Sequence, residues 1–241
     1  MSFIFRKVTK ERLTYSFRYF SCTNDKLTRK PILYGDDASP PVRFVLMTAA
    51  FLNIELNFHH IDLFKEENKS KFYKKINPLQ KVPAMKVKDL ILCDSHAIAL
   101  YLCNQGDNNL YPVDNMMKAR VDEMLFFNSS SLFQVDSRIF TEFFAGKWPI
   151  SEENVEKWHF LLKFLENRLT YTPWLAGDKM LLCDLSCAAT VSSCRLLVPF
   201  LEKHKKIKEW LKKIEDFPCF EINTRGLQRL KSFVDRVKNT K

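Results

Sequence analysis

The feature that most restricts the fold of this 241-residue chain is a change of period along its length. From Asp114 onward apolar residues recur only at helical spacing, and no stretch keeps the two-residue rhythm of a strand. Before that point short apolar runs alternate with helical segments, punctuated by Gly, Pro and paired Asp. The first length therefore builds a mixed α/β unit and the second a purely helical one. The helical part divides into long amphipathic segments at roughly 114–144, 151–169, 182–197 and 203–215, with a shorter one reaching about 231.

Order in the first part begins at Pro31. Ile32, Leu33 and Tyr34 read as a strand ended by Gly35-Asp36-Asp37. Ser39-Pro40-Pro41 then opens a helix carried by Phe44, Val45, Met47, Phe51 and Leu52, because Ser is a favoured cap and Pro is tolerated in a first turn. Glu55 to Ile61 reads as a second strand, and the Lys/Glu-rich stretch to Ile76 as a short, loosely packed helix. Val82 to Val87 and Leu90 to Cys93 form a hairpin through Lys88-Asp89. Asp94-Ser95 caps a helix from His96 to Leu102. Strand, helix, strand, helix, hairpin and helix make a thioredoxin-like α/β domain over 31–108, with parallel pairing in the βαβ unit and antiparallel pairing in the hairpin. Asn104 to Pro112 is the polar linker, and 114–241 is the all-helical domain.

Charge and cysteine usage narrow the function classes. The formal net charge is +10, but residues 1–30 hold eight Lys or Arg against two Asp or Glu, leaving 30 basic and 26 acidic residues over the other 211. The body is close to balanced, which argues against nucleic acid as a partner. Residues 1–30 form a basic N-terminal extension that reads as a mitochondrial targeting segment, a disordered extension or an unused upstream start. The seven cysteines include no CxxC pair, and Cys183, Cys187 and Cys194 recur at helical spacing, as buried thiols in a reducing, cytoplasmic compartment would. The five histidines lack metal-ligand spacing, so no metal is expected. Leu181 to Leu201 is apolar, but Asp184 and Arg195 make it a core helix rather than a membrane span.

Three segments, in order, carry a family resemblance: Tyr34 to Arg43 (YGDDASPPVR), Asn77 to Pro83 (NPLQKVP) and Asp94 to Ile98 (DSHAI). Over about residues 31–230 the chain resembles the cytosolic glutathione transferases of the insect delta/epsilon type. The resemblance implies glutathione as co-substrate, a homodimer, and Ser39 as the group that activates the glutathione sulfur. Ser39 would sit at a helix N-terminus, where partial positive charge favours an anion and the hydroxyl can donate to a thiolate. The alternative is that Ser39 only caps the helix.

The resemblance also implies the glutathione contacts. Val82-Pro83 matches a cis-proline turn that offers the Val82 backbone to the cysteinyl unit. An ordinary proline opening a strand is the alternative. Ser95 suits the γ-glutamyl carboxylate and Asp94 the ammonium, with His96 beside them; Asp94-Ser95 as a plain capping pair is compatible with both. Gln80 and Asn68 match positions at the glycyl end. Two positions depart from the family pattern: Gln80 stands where many epsilon relatives carry His, and Leu181 stands where Ser or Thr usually completes a capping box with Asp184.

The second substrate is addressed by a stripe of Leu132, Phe133, Ile139, Phe140 and Phe143, about half of which is expected to be core. Pro40, Leu63 and Phe64 are expected to join it from the first domain, with Ser137 and Thr141 alongside. Asp136 falls within the stripe, where a carboxylate is costly unless paired. Ser131 to Ser137 (SLFQVDS) resembles the noppera-bo branch of insect transferases, associated with ecdysteroid hormone production, which implies a steroid-accepting pocket holding this acid. A salt bridge to Arg43 or Arg195 is the alternative. The function so implied is conjugation or isomerisation of an apolar, steroid-like electrophile. A non-catalytic glutathione-dependent sterol carrier and a protein-interaction module on the same fold are the other two readings.

Overall fold

The computed structural model describes residues 30–105 and 110–239. The N-terminal extension and the middle of the linker lie outside the described residues. The first domain runs β1 (Ile32–Gly35), α1 (Pro40–Phe51), β2 (Asn57–His60), α2 (Lys71–Ile76), β3 (Ala84–Val87), β4 (Leu90–Leu92) and α3 (Ser95–Cys103). Its sheet has the order β2-β1-β3-β4, with β1 and β2 parallel and the other pairs antiparallel. This is the expected thioredoxin-like arrangement. Strand alternation sorts the side chains: Leu33 and Met85 pack with Val45, Ile98 and Leu102, whereas Tyr34 and Ala84 pack with Tyr73 on the other face. A Cβ on Gly35 would lie 2.8 Å from Val42, so only glycine lets α1 begin this close to β1. The single helix expected before Ile76 is instead two 3₁₀ turns, Leu63–Lys65 and Glu67–Lys69, followed by α2. Asp62 starts the first turn by accepting from the amides of Phe64 and Lys65.

The second domain is all helical: α4 (Asn115–Phe127), α5 (Phe133–Phe144), α6 (Glu152–Tyr171), α7 (Leu182–Cys194), α8 (Lys205–Glu215) and α9 (Glu221–Asn239). The long helix expected at 114–144 is α4 and α5 joined by one π turn over Asn128–Leu132. The last helix runs well past 231, because Leu227, Leu230 and Val234 continue its buried face beneath an otherwise basic surface. Every residue of α7 is buried, and this helix packs against α1, α4, α5 and α9. Among the described residues no helix is long and apolar enough to cross a membrane.

The Leu181 departure costs less than a missing cap suggests. Asp184 accepts from the amides of Leu181 (2.9 Å) and Leu175 (3.0 Å) and from Trp210 Nε1 (2.8 Å), so its half of the box is intact. The main-chain oxygen of Leu181 takes the Asp184 amide, a task no leucine side chain can perform. Burial still lifts the Asp184 carboxyl to about 6 against those donors.

Candidate functional site

The site starts at the turn between β1 and α1. Ser39 occupies the N-cap position with extended backbone, yet its side chain makes no capping hydrogen bond. Pro40 and Pro41 have no N–H to cap, and the amides of Val42 and Arg43 both go to the Ser39 carbonyl. The hydroxyl is therefore not consumed by the helix. It opens onto a cavity of about 720 Å³ between the two domains.

The walls of that cavity contain all eight residues expected for the second substrate. Pro40, Leu63 and Phe64 come from the first domain, and Phe133, Asp136, Ser137, Phe140 and Thr141 from α5. The rest of the stripe, Leu132, Ile139 and Phe143, is fully buried core, so three of its five residues pack inward. The sequence reading missed the third wall, made by Phe144 and by Leu230, Phe233 and Val237 of α9. Their spacing of three and four along a helix was the available signal. Phe233 stacks on Phe64 with ring centres 3.7 Å apart and meets Phe144 edge-on at 5.5 Å.

Asp136 is the polar exception in this wall. It is 2% exposed, and its Oδ1 is buried without a hydrogen-bond partner. Among the described residues neither Arg43 nor Arg195 forms an ion pair with it. Arg43 instead donates to Asn223 Oδ1 (2.8 Å), the carbonyls of Asp37 (3.0 Å), Ala38 (2.6 Å) and Ala189 (3.2 Å), and Ser193 Oγ. Burial pushes the Asp136 carboxyl up to about 8, with the field of Arg43 pulling the other way. Burial thus favours the protonated carboxyl, which offers both an O–H donor and a free acceptor.

A second, smaller cavity of about 160 Å³ shares Pro40 and Phe133 with the first. It is lined by Val82, Pro83, Asp94, Ser95 and His96. The Val82-Pro83 bond is cis, as the resemblance implied. Pairing of β3 with β1 ends at Ala84, so Val82 contributes no rung to the sheet. Asp94 caps α3 through one oxygen, Oδ1, which accepts from the amides of His96 and Ala97 at 2.9 Å each; Oδ2 is left over. His96 points inward: its Nε2 is 3.0 Å from Ser186 Oγ on α7, and Ser186 Oγ also accepts from Asn128 Nδ2 at 2.7 Å. Burial holds the His96 imidazole below its ordinary value despite Asp94. Asn128 and Ser186 were not foreseen, and nothing in their local sequence marks them. Asn68 lines the large cavity and donates to the Gln80 carbonyl (2.8 Å). Gln80 has a positive φ of 55° and lines neither cavity.

A thioredoxin-like domain with a cis-proline, joined to a helical domain across an apolar cleft, defines a glutathione-handling architecture. Comparison with known proteins agrees. The N-terminal domain family of glutathione S-transferases matches residues 33–109, and the C-terminal domain family matches 130–218. Glutathione S-transferase 1 of Manduca sexta is 33% identical over 195 residues, spanning 78% of this chain and 89% of that protein. Glutathione S-transferase D6 of Drosophila melanogaster is 28% identical, spanning 84% and 95%. An epsilon-class glutathione S-transferase from the housefly Musca domestica superposes with a TM-score of 0.81 at 33% identity, over 86% of this chain and 98% of that one. A glutathione transferase homolog from Drosophila mojavensis with bound glutathione gives 0.81 and 33%, over 86% and 97%. The chain belongs to the insect delta/epsilon glutathione S-transferases and is a glutathione transferase enzyme.

Proposed function

We propose that this enzyme activates glutathione through Ser39 and directs the thiolate at an apolar, steroid-like substrate held in the large cavity with Asp136 as its polar anchor. The observation that carries the substrate reading is the unpartnered Oδ1 of Asp136, buried in a wall otherwise built of Phe and Leu. Phe rings supply area without direction, so one polar group fixes the orientation of a rigid apolar ligand. A neutral carboxyl can accept from a hydroxyl and donate to a hydroxyl or ketone, as steroid substituents require.

The γ-glutamyl and cysteinyl main chain of glutathione belongs in the smaller cavity, with the sulfur reaching Ser39 on the wall of the larger one. Its cysteinyl unit pairs with the Val82 main chain, its γ-glutamyl carboxylate meets Ser95 and the start of α3, and its ammonium takes the spare oxygen of Asp94. His96 backs this recess; Asn68, on the wall of the larger cavity, and Gln80, whose carbonyl Asn68 holds, are assigned to the glycyl end by the family resemblance, so that end extends out of the smaller cavity. A free thiol titrates near ~8.5, so lowering it by about two units needs roughly 2.7 kcal/mol. A charge-assisted hydrogen bond from Ser39 Oγ together with the α1 dipole supplies an amount of that order. In conjugation the sulfur lone pair forms the C–S bond and the leaving group departs with its bonding electrons.

The enzyme works as a homodimer in the cytoplasm in this reading. Phe126 on α4 and Phe160 on α6 are 69% and 73% exposed, apolar side chains of the kind that a second subunit covers. The SLFQVDS segment extends the reading to a noppera-bo-like role in ecdysteroid biosynthesis. The test is a titration of the glutathione-loaded enzyme with two steroids differing only in one hydroxyl. Loss of that hydroxyl is expected to weaken binding by about ten-fold. Equal affinities for all such pairs refute the anchor.

A further inference from the structure

One face of α9 carries Asn223, Gly226 and Arg229 at three-residue spacing; Gly226 and Arg229 meet the turn that presents Ser39, and Asn223 reaches it through Arg43. Asn223 Oδ1 accepts from Arg43 Nε, whose guanidinium also holds the carbonyls of Asp37 and Ala38. A Cβ on Gly226 would lie 2.2 Å from the Asp37 carbonyl oxygen, so the helix lies directly on the turn. Arg229 forks onto Asp36, with Nε 2.9 Å from Oδ1 and Nη2 3.1 Å from Oδ2. Asp36 is wholly buried. Its Oδ1 also accepts from the amide of Ala38 and its Oδ2 from that of Leu63, both at 3.0 Å. One carboxylate thus ties together the residue before Ser39, the first residue of the Leu63-Phe64 wall, and the helix that supplies the third wall.

The same arginine organises the neighbouring groups. Its Nη2 is 3.4 Å from Asp62 Oδ1, the atom that caps the Leu63–Lys65 turn. Its Cζ lies 5.1 Å above the Phe64 ring, which Phe233 covers from the next turn of α9. Asp36, His60 and Asp62 bring ligand atoms within 4.8 Å of one another, and the Arg229 guanidinium supplies the positive charge there. A bidentate fork of this kind fixes orientation as well as distance, which a lysine ammonium cannot do.

We propose that Asp36 and Arg229 are a positioning pair that sets α9 and the Ser39 turn in a single register, so that the thiolate site and the second-substrate cavity are assembled together. The proposal rests on the reading of Ser39 and of the large cavity given above. Neither residue lines either cavity, so both act through Ser39, Leu63, Phe64 and Phe233. A shift of the turn by a fraction of an ångström separates the Ser39 hydroxyl from the sulfur, and release of α9 opens the Phe64–Phe233 wall.

The test compares Arg229→Leu, Arg229→Lys and Asp36→Asn with wild type. It measures kcat and KM for a chloronitroaromatic, the pKa of enzyme-bound glutathione thiol from thiolate absorbance, and glutathione affinity. Arg229→Leu is expected to raise KM for the aromatic substrate about ten-fold and to lower kcat several-fold as the bound-thiol pKa rises. Glutathione affinity should stay within about two-fold, since α9 contributes nothing to the smaller cavity. Arg229→Lys should recover only part of the loss, and Asp36→Asn combined with Arg229→Leu should be no worse than the poorer single variant. A lowered melting temperature with wild-type KM and wild-type thiol pKa in Arg229→Leu overturns the proposal. If Arg229→Leu fails to fold, the same pattern in Arg229→Lys, which keeps the charge, overturns it equally. Ser39→Ala measured alongside separates the two readings. A wild-type thiol pKa there sinks the serine assignment alone, and the KM of Arg229→Leu still decides this one.

Discussion

Replacing Asp136 with Asn should make the protein relatively more stable as pH rises. The unfolded carboxyl ionises near 3.8, whereas burial holds the folded one protonated to about 8. Between those values the folded state keeps a proton that the unfolded state has released, so the contribution of this carboxyl to stability is fully present below about pH 4 and is lost as pH climbs toward 8. Each unit corresponds to about 1.4 kcal/mol, so the loss between pH 5 and pH 7 is on the order of 3 kcal/mol. Asn cannot ionise and lacks this loss. It adds one amide hydrogen to a wall that offers no acceptor, a penalty of about 1–3 kcal/mol that does not vary with pH. Asp136→Asn should therefore be near wild type or below it at pH 5 and above it at pH 7–8. The groups that bear on Asp136 from neighbouring helices are Arg43 of α1 and Cys194 of α7, whose thiol burial holds well above its usual range. Urea unfolding of both proteins at fixed concentration across pH 5–8 measures the slope. A carboxylate ionised and clasped by Arg43 would have a depressed folded pKa, and Asn would then cost more at high pH than at low. A flat or inverted slope refutes the protonated-carboxyl argument.

Three further outcomes follow from the same geometry. Ser39→Ala should leave the fold and glutathione affinity intact, raise the pKa of the bound thiol and lower kcat/KM by tens to thousands-fold, about 2–4 kcal/mol; unchanged activity and thiol pKa would reduce Ser39 to a helix start. Gly226→Ala should force α9 off the Asp37 carbonyl, lower stability by about 1–3 kcal/mol and raise KM for the second substrate, read by melting temperature and steady-state kinetics. Deleting residues 1–30 should preserve melting temperature and glutathione turnover, because none of the three family motifs lies before Tyr34; a large loss of either would show that the segment contributes to the body.

The parts of the site that the sequence disclosed are those where one physical rule acts locally. Cap chemistry marked Ser39 and Asp94-Ser95 as helix starts, and the resemblance of short local motifs singled out Val82-Pro83, since each depends on a few adjacent residues. Helical period placed Phe133, Asp136 and Phe140 on one stripe together with Leu132, Ile139 and Phe143, and only the packing of α5 divides that stripe into cavity wall and buried core. What stayed hidden depends on distant partners. The π turn at Asn128–Leu132 leaves little trace in composition, yet it turns Asn128 toward Ser186, 58 positions away. The third wall was hidden by length and charge: the last helix is expected to stop near 231, short of Phe233 and Val237, and it carries Arg225, Arg229, Lys231, Arg236 and Lys238 around its apolar positions. Arg229 spends its charge inward, on an aspartate 193 positions earlier, and no local pattern announces that.

The start of α1 shows why the serine hydroxyl is the group left for a ligand. A helix normally begins with several amides in want of acceptors, and an N-cap serine is usually drawn into satisfying one of them. Here prolines at 40 and 41 remove two of those amides, and the Ser39 carbonyl takes the next two, from Val42 at 3.1 Å and Arg43 at 3.0 Å. The turn before it is fixed from both sides: Asp36 takes the Ala38 amide, the Asp36 carbonyl takes the Ser39 amide, and Arg43 donates to the carbonyls of Asp37 and Ala38. Main-chain demand at this corner is met without Ser39 Oγ. In the proposed role the hydroxyl would meet an incoming thiolate with no internal bond to break, while the geometry that aims it is set by buried side chains, Asp36 and Arg43, that line neither cavity.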